Sequence, residues 1–494
     1  MATLRAAAVL PAVTDGLQVE ETTAKTKQAD ALPAAACEGF APATGGFLQP
    51  AHGYGQSGAT YRREMMPVAR IEREKVMFDQ KTLPNGLRLV GEKLPYVRSC
   101  TVGVWVKVGS MNEKPEENGL SHFIEHMVFK GTSKRSARDI AEEMDAVGGQ
   151  LNAFTSKDCT CFYAKVIDED LPLAVDILSD LALHPAFDEG ELQKERGVVL
   201  EEIAMVEDTP EDLVHELLSE AQYSGSLRLP ILGTSQGLRG YSREDVLRYW
   251  QRHYVPQSMV IAIAGNYDWE AFVELVEKYF DGFEGTEGHG AMELPDQPQA
   301  ILSNRKAREK DTEQLHICMG YPGLELGSDD LYPLSVFNNV LGGGMSSRLF
   351  QRIREELGMA YSIYTYPSSY PGCGVFNVYA GTTPENGETV LAEMQAQMAL
   401  LLKDGMNLKE FVSAKAQLRG GFVLGLESSS GRMQSIGRSL LLLNRLNDPD
   451  EQLEKIDRVT MEDVLRLGSL VLSAKPSAAI VGKNAQRFVQ MIGG

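Results

Sequence analysis

Leu120-Ser121-His122-Phe123-Ile124-Glu125-His126 lies over Leu334-Ser335-Val336-Phe337-Asn338-Asn339-Val340 without a gap. With small changes of offset the frame continues: Tyr163-Ala164 falls on Tyr379-Ala380, and Glu195 and Glu202 fall on Ala414 and Gly421. Between the copies, residues 284–300 (EGTEGHGAMELPDQPQA) are rich in Gly, Pro and acid and have no period, the composition of a linker. The chain therefore reads as one structural unit present twice. The second copy keeps the apolar frame but carries Val336, Asn339 and Val340 where the first has His122, Glu125 and His126. A polar cluster needed only for folding would survive duplication as readily as the core, so its confinement to one copy points to chemistry.

Outward from that stretch, the first copy opens with an ordered run from Val76 through Leu83, the turn Pro84-Asn85-Gly86, and a strand over 87–92, the pattern of a tight hairpin. A third strand is expected over 101–108. Helices follow over 120–129, 136–147 and 171–183; Ser136 and Asp139 form a capping box for the second, and Gly148-Gly149 stops it. One strand around 151–166 separates the last two. Asp188 and Glu191 cap a helix running toward Val206, and Ser242 with Asp245 opens another before a strand over 259–264. The pattern predicts an α+β fold of two homologous domains, each a mostly antiparallel sheet packed with helices, joined by a linker. The expected divisions are a disordered extension over 1–70, a domain carrying the polar cluster over 71–283, the linker 284–300, and a degenerate repeat over 301–494.

At 494 residues the chain is too long for one core. Its hydrophobic (43%), aromatic (7%) and charged (23%) fractions are those of an ordinary globular protein. A net charge of −20 argues against nucleic acid as a partner and would suit basic peptides, although acidity also serves solubility alone. Six scattered cysteines, Cys37, Cys100, Cys159, Cys161, Cys318 and Cys373, read as free thiols in a reducing compartment. Cys159-x-Cys161 has no second pair to complete a metal site and reads as core. No apolar run approaches the roughly 20 residues that span a bilayer. In residues 1–60 the only Arg is Arg5, and Asp15, Glu20, Glu21, Asp30 and Glu38 outnumber the basic residues, unlike an Arg-rich, acid-poor transit peptide. The apolar stretch 6–13 is short for a secretory signal and contains Pro11. The segment reads as a disordered extension with Met65 or Met66 as an alternative start. The expected location is cytoplasmic, with the mitochondrial matrix as the alternative.

His122 and His126 are four apart, so on a helix their imidazoles leave one face about a turn from each other and can hold one ion. Glu125 sits close enough to touch a water held there without occupying the ion itself. A catalytic zinc takes three protein ligands and keeps a fourth position open. In ELQKERGVVLEEI, Glu195 and Glu202 are seven apart and share a helix face, so either could supply the third; spacing does not choose between them. Glu201 points about 100° away, toward the solvent side of an amphipathic helix. A lone His is more often a packed core residue, but with eight His in the chain this pattern is expected by chance on the order of 0.01 times.

GLSHFIEHMVFKGT, LNAFTSKDCTCFY, ERGVVLEEI and REELGMAYS together resemble the pitrilysin/insulinase family of zinc peptidases. In length and layout the chain is similar to the mitochondrial processing peptidase-like subgroup with its bacterial relatives, over roughly residues 70–494. The resemblance implies one zinc per chain held by His122, His126 and Glu202, with Glu125 as general base and Glu195 as a carboxylate that orients a ligand. It implies that Arg354 and Tyr361, in RIREELGMAY, contact substrate where the oxyanion develops; read alone, Arg354 would be a solvated helix charge. It also makes Asn152-Ala153-Phe154-Thr155 an edge strand that a peptide extends through main-chain hydrogen bonds. Leu341-Gly342-Gly343-Gly344 lacks the Gly-Lys-Ser/Thr ending of a phosphate loop and reads as a helix stop. Family members of this length pair two chains around the substrate, which implies a homodimer with Arg354 and Tyr361 of one subunit serving the zinc of the other. A heterodimer with a non-catalytic homologue is the alternative. A structural or docking homologue without turnover is a further one, against which the intact residue set speaks. The activity implied is a zinc metalloendopeptidase acting on unfolded peptides.

Overall fold

The computed structural model describes residues 77–284 and 301–492. The expected extension over 1–70, Cys37, Val76, and the linker beyond Glu284 lie outside the described residues.

One sheet contains β1 (Phe78–Thr82), β2 (Arg88–Lys93), β3 (Ser99–Val106), β4 (Gln150–Thr155), β5 (Thr160–Ile167) and β6 (Met259–Gly265), in the order β1-β2-β6-β3-β5-β4. The other contains β7 (Arg305–Glu309), β8 (Leu315–Pro322), β9 (Ala360–Tyr370), β10 (Cys373–Thr382) and β11 (Ser477–Gly482), in the order β7-β11-β8-β10-β9. Only β2 with β6 and β7 with β11 run parallel; the other neighbours are antiparallel. Without β1, the two orders are the same, with the parallel pair in the same place. The fold is therefore two helix-packed, mostly antiparallel sheets of repeated topology.

The helices of the first half are α1 (Leu120–Val128), α2 (Ala137–Ala146), α3 (Leu171–Leu183), α4 (Glu189–Asp208), α5 (Pro210–Gln222), α6 (Ser235–Gly240), α7 (Arg243–His253) and α8 (Trp269–Phe280). In the second half they are α9 (Leu331–Leu341), α10 (Gly387–Asp404), α11 (Leu408–Gly425), α12 (Ser429–Leu443), α13 (Pro449–Arg458), α14 (Met461–Leu472) and α15 (Ala485–Met491). Side-chain caps set several starts: Ser136 with Asp139 for α2, Asp188 for α4, and Ser242 with Asp245 for α7. No described helix is long and apolar enough to cross a membrane.

The single strand expected around 151–166 is a hairpin. Its turn carries no Gly or Pro; Ser156 N donates to Cys159 O at 2.8 Å, and Ser156 Oγ accepts from Cys159 N at 3.1 Å. A short polar side chain closes this turn by bonding backbone two to three residues on. Among the described residues β4 is therefore one of the two edge strands of the first sheet, and β9 holds the matching edge of the second.

Each sheet buries its inner face against its own helices and its outer face against a helix from the other half. On the first sheet, Met433, Ile436, Leu440 and Leu441 of α12 pack on Trp105, Cys159, Cys161 and Val260. On the second, Leu213, Val214, Leu217 and Leu218 of α5 pack on Cys318, Tyr379, Ala479 and Val481. Cys159 and Cys161 are core residues, and the described cysteines are free and buried. Arg438 of α12 pairs with the buried Asp158 at 2.6 Å, in the turn between β4 and β5, and Arg432 pairs with Glu92.

Candidate metal centre

The helix bearing the His-x-x-Glu-His stretch is fixed at its start. Gly119 takes φ +96, and a Cβ there would collide with the Gly233 Cα and the Leu232 carbonyl. The buried carboxylate of Glu113 accepts from Gly119 N and Ser121 N, both at 2.8 Å, and from Asn118 Nδ2 at 3.0 Å. A negative group at a helix N-terminus satisfies free N–H groups and matches the helix dipole. Burial raises the Glu113 pKa, and these bonds oppose the rise.

From this anchored start α1 presents His122 and His126 side by side, with ring centroids 4.6 Å apart. The neighbouring α4 brings Glu195 and Glu202 to opposite edges of one ring. Glu195 Oε1 lies 2.8 Å from His126 Nδ1, while Glu202 Oε2 lies 3.6 Å from His126 Nε2 and 3.8 Å from His122 Nε2. Glu201 is exposed. Glu202 thus faces both Nε2 atoms, and Glu195 stands behind His126. Lys130, just past the end of α1, holds the other Glu195 oxygen at 2.7 Å.

This donor set fits a zinc ion. His122, His126 and Glu202 each offer one atom, all within 4.8 Å of one another, the one such group of three or more among the described residues. Two ligands about 2.1 Å from a tetrahedral ion stand about 3.4 Å apart, and the Nε2-to-carboxylate separations are within a few tenths of an ångström of that. A hydrogen bond from His126 Nδ1–H to Glu195 leaves the Nε2 lone pair free toward Glu202. Burial, with the adjacent His126 ring adding to the shift, pushes the His122 pKa well down and keeps that ring neutral. For His126 burial acts the same way, but its bond to Glu195 and the nearby carboxylates raise the value overall. Burial raises Glu202, and His126 opposes it.

The Glu125 Oε2 accepts from Thr155 Oγ1 at 2.5 Å. Burial raises the Glu125 pKa and the Thr155 bond counters it. Along β4 the side chains alternate as a strand requires. Leu151 and Ala153 pack on the inner core, whereas Phe154 turns outward to Trp105, with ring centroids 5.6 Å apart. Asn152 is exposed, and its Oδ1 accepts from Ala153 N at 2.8 Å.

Arg354 sits in a π-helical segment, Phe350–Glu356, not on a regular helix. Its guanidinium lies over the Phe350 ring at 4.7 Å and over the Tyr361 ring at 5.0 Å. Arg354 and Tyr361 line a cavity of 350 Å³ with Gln314, Thr382 and Asn386. Among the described residues, no hydrogen bond, ion pair or ring contact joins this pair to the metal cluster of the same chain. Glu113, Lys130 and the Thr155 hydroxyl join the site without having been singled out for those contacts from sequence. Only Lys130 carries a signal there, lying four residues beyond His126.

Residues 88–235 match the family model described as insulinase (peptidase family M16), a span that includes every residue of the metal cluster. An uncharacterised zinc protease of Bacillus subtilis, YmxG, is 44% identical over 406 residues, covering 82% of this chain and 98% of that protein. The chain belongs to the insulinase family. Residues 240–418 match the model described as peptidase M16 inactive domain, which spans Val336, Asn339 and Val340. An insulinase-family relative in Streptomyces coelicolor, also named an uncharacterised zinc protease, is 41% identical and covers 81% of this chain and 88% of its own. Two solved structures share the fold. A protease from Helicobacter pylori superposes with TM-score 0.77 at 22% identity, covering 83% of this chain and all of that one. A peptidase M16 inactive domain from Pseudomonas fluorescens does so with TM-score 0.77 at 17% identity, covering 83% and 98%.

Proposed function

We propose that the chain is a zinc metalloendopeptidase that hydrolyses peptide bonds of unfolded peptides. The observation that carries this reading is the convergence of His122 Nε2, His126 Nε2 and a Glu202 oxygen, with the far side of His126 already occupied by Glu195. His122, His126 and Glu202 would hold the ion, and the Glu195 carboxylate would orient His126. When bound, zinc supplies Lewis acidity, lowering the pKa of a water to about 7 and polarising the scissile carbonyl. Glu125 takes the proton from the attacking water and passes it to the leaving amine. Peptide adds to the free edge of β4 through main-chain bonds at Asn152, Ala153, Phe154 and Thr155, which reads backbone more than side chains.

Arg354 and Tyr361 would donate to the oxyanion. Because, among the described residues, they make no contact with the cluster of their own chain, the proposed assembly is a homodimer in which each subunit supplies this pair to the other. A heterodimer with a non-catalytic homologue is the second arrangement. The assignment to the mitochondrial processing peptidase-like subgroup, a catalytic domain over 71–283, a linker over 284–300, a degenerate repeat over 301–494, a preference for basic peptides and a cytoplasmic location belong to the same proposal.

The test is zinc content by mass spectrometry together with cleavage of an unstructured peptide, with and without chelator, by the parent and Glu125→Gln. One zinc per chain and chelator-sensitive turnover that Glu125→Gln abolishes are expected. Stoichiometric zinc with no Glu125-dependent cleavage would make the chain a docking homologue. Mixing Glu125→Gln with Arg354→Ala subunits tests the assembly: activity recovers if the pair acts across the dimer.

A further inference from the structure

The residue that fixes the general base sits on the strand proposed to receive substrate. Thr155 ends β4, its side chain is buried, and its Oγ1 lies 2.5 Å from Glu125 Oε2. The direction of this bond is determined. Thr160 Oγ1, 3.4 Å from Thr155 Oγ1, donates its proton to Val108 O at 2.9 Å. An ionised carboxylate has no proton to give, so the Thr155 hydroxyl must donate. The terminal torsion of a Glu is broad and roughly two-fold, so an untied carboxylate turns its oxygens freely. With Oε2 held, Oε1 remains for the water.

We propose that Thr155 is a positioning residue for Glu125. Its hydroxyl selects the carboxylate oxygen that takes the proton and ties the base to the edge strand that receives the peptide. A peptide seated on β4 is then in register with the base because both are referred to one residue. This rests on Glu125 being the base. The second half shows what an architectural version looks like: Thr365 Oγ1, on β9, lies 2.7 Å from Asn338 Oδ1 on α9. There a strand-to-helix bond ends on an amide one position from the residue aligned with Glu125. A purely structural role for Thr155 is therefore a definite rival, and it predicts a loss of stability without a loss of turnover.

Thr155→Val keeps the shape and removes the hydroxyl; Thr155→Ser keeps the hydroxyl; Thr155→Ala removes it without a branched side chain. For each variant, kcat and KM on an unstructured peptide, zinc per chain and thermal midpoint are measured on the full chain. Misplacement of a catalytic group by about an ångström costs up to roughly 100-fold. The expectation is that Thr155→Val and Thr155→Ala lose about 10- to 100-fold in kcat, with KM within about twofold and one zinc bound, while Thr155→Ser stays within about threefold of the parent. A Val or Ala variant that keeps parental kcat, a loss confined to KM or zinc content, or a Ser variant as impaired as Val overturns the proposal. If Glu125→Gln retains turnover, the reading of Glu125 as base fails, which the Thr155 series alone would not show.

Discussion

Replacing Lys130 with Met tests whether support behind a ligand governs the metal. The two oxygens of the buried Glu195 are divided between His126 Nδ1 at 2.8 Å and Lys130 Nζ at 2.7 Å. Methionine retains most of the stem and removes the ammonium. A hydrogen bond to a charged group contributes about 1.5–3 kcal/mol, and with the Lys130 side chain 31% exposed the lower end applies. Loss of that tether lets the Glu195 carboxylate rotate, and His126 loses the fixed partner that aims its Nε2. Removal of such outer partners weakens metal binding by about 10- to 100-fold. Zinc affinity would be measured by competition with a chelator of known affinity, alongside kcat at saturating zinc and the urea midpoint. The expectation is about a tenfold weaker zinc Kd, kcat at saturating zinc within about twofold of the parent, and partial recovery in Lys130→Arg. A Lys130→Met chain that binds zinc as tightly as the parent while losing stability would show that the lysine serves only the fold, and the reasoning would fail.

Gly437 of α12 faces Trp105, and a Cβ there would overlap the indole. Helix propensity alone makes Gly→Ala favourable by about 1 kcal/mol, whereas overpacking costs about 1–3 kcal/mol. Gly437→Ala should therefore lower the thermal midpoint, and a raised one would mean that α12 does not pack this closely. Asp158 is buried against Arg438 at 2.6 Å, and stranding one member of a buried pair costs about 3–5 kcal/mol. Arg438→Met should be among the most destabilising single changes at the outer face of the first sheet; a urea midpoint near parental would contradict this. Acid should also destabilise the contact of α5 with the second sheet. Burial lowers His215 to about 4, with His316 adding to the shift, and burial lowers His316 to about 4. The unfolded chain binds these protons near pH 6.5 and the folded chain resists them. Their stabilisation is whole above about 6.5 and is lost as pH falls toward about 4, at up to about 1.4 kcal/mol per unit for each ring. Unfolding midpoints at pH 7 and 5 should show His215→Gln with a shallower acid loss than the parent; equal slopes would refute it.

What the sequence displays depends on where the determinant lies along the chain. Helix starts are legible at Ser136, Asp188 and Ser242 because the cap is a side chain acting within three residues. The hairpin within 151–166 is not, since its turn uses Ser156 and Asp158 in place of Gly or Pro and both arms are apolar enough to merge. The exchange of α5 and α12 between halves is equally hidden, because an amphipathic face does not name the sheet that will cover it. Glu195 and Glu202 share a face about 10.5 Å apart along the axis, so periodicity finds both and ranks neither. Their division of labour arises only when α4 meets α1 and they take opposite edges of the same imidazole. The π-helical turn under Arg354 follows from no local propensity visible in Phe350–Glu356, and the sequence suggests an ordinary helix charge there.

The second half bears directly on why the first half keeps its polar cluster. It preserves the strand order and parallel pair, opens α11 with a capping box of Asn407 and Glu410, and ties its edge strand to its helix through Thr365. At the positions aligned with the metal cluster it places Val336, Asn339, Val340, Ala414 and Gly421. Asn339 Nδ2 donates to the Ala414 carbonyl at 3.1 Å, so α9 and α11 are joined where the first half has an imidazole and two carboxylates. This scaffold thus closes without charge between those helices. In the first half the same contact holds a buried, neutral His122 whose Nδ1 has no hydrogen-bond partner among the described residues, and Glu202, whose pKa burial raises. Those groups oppose folding in the chain by itself, and an ion that binds only the folded arrangement turns the same groups into a source of stability. The asymmetry between the halves is what that balance requires: on the proposed function one copy retains the expense because an ion and a substrate use it, and the other has relaxed to packing.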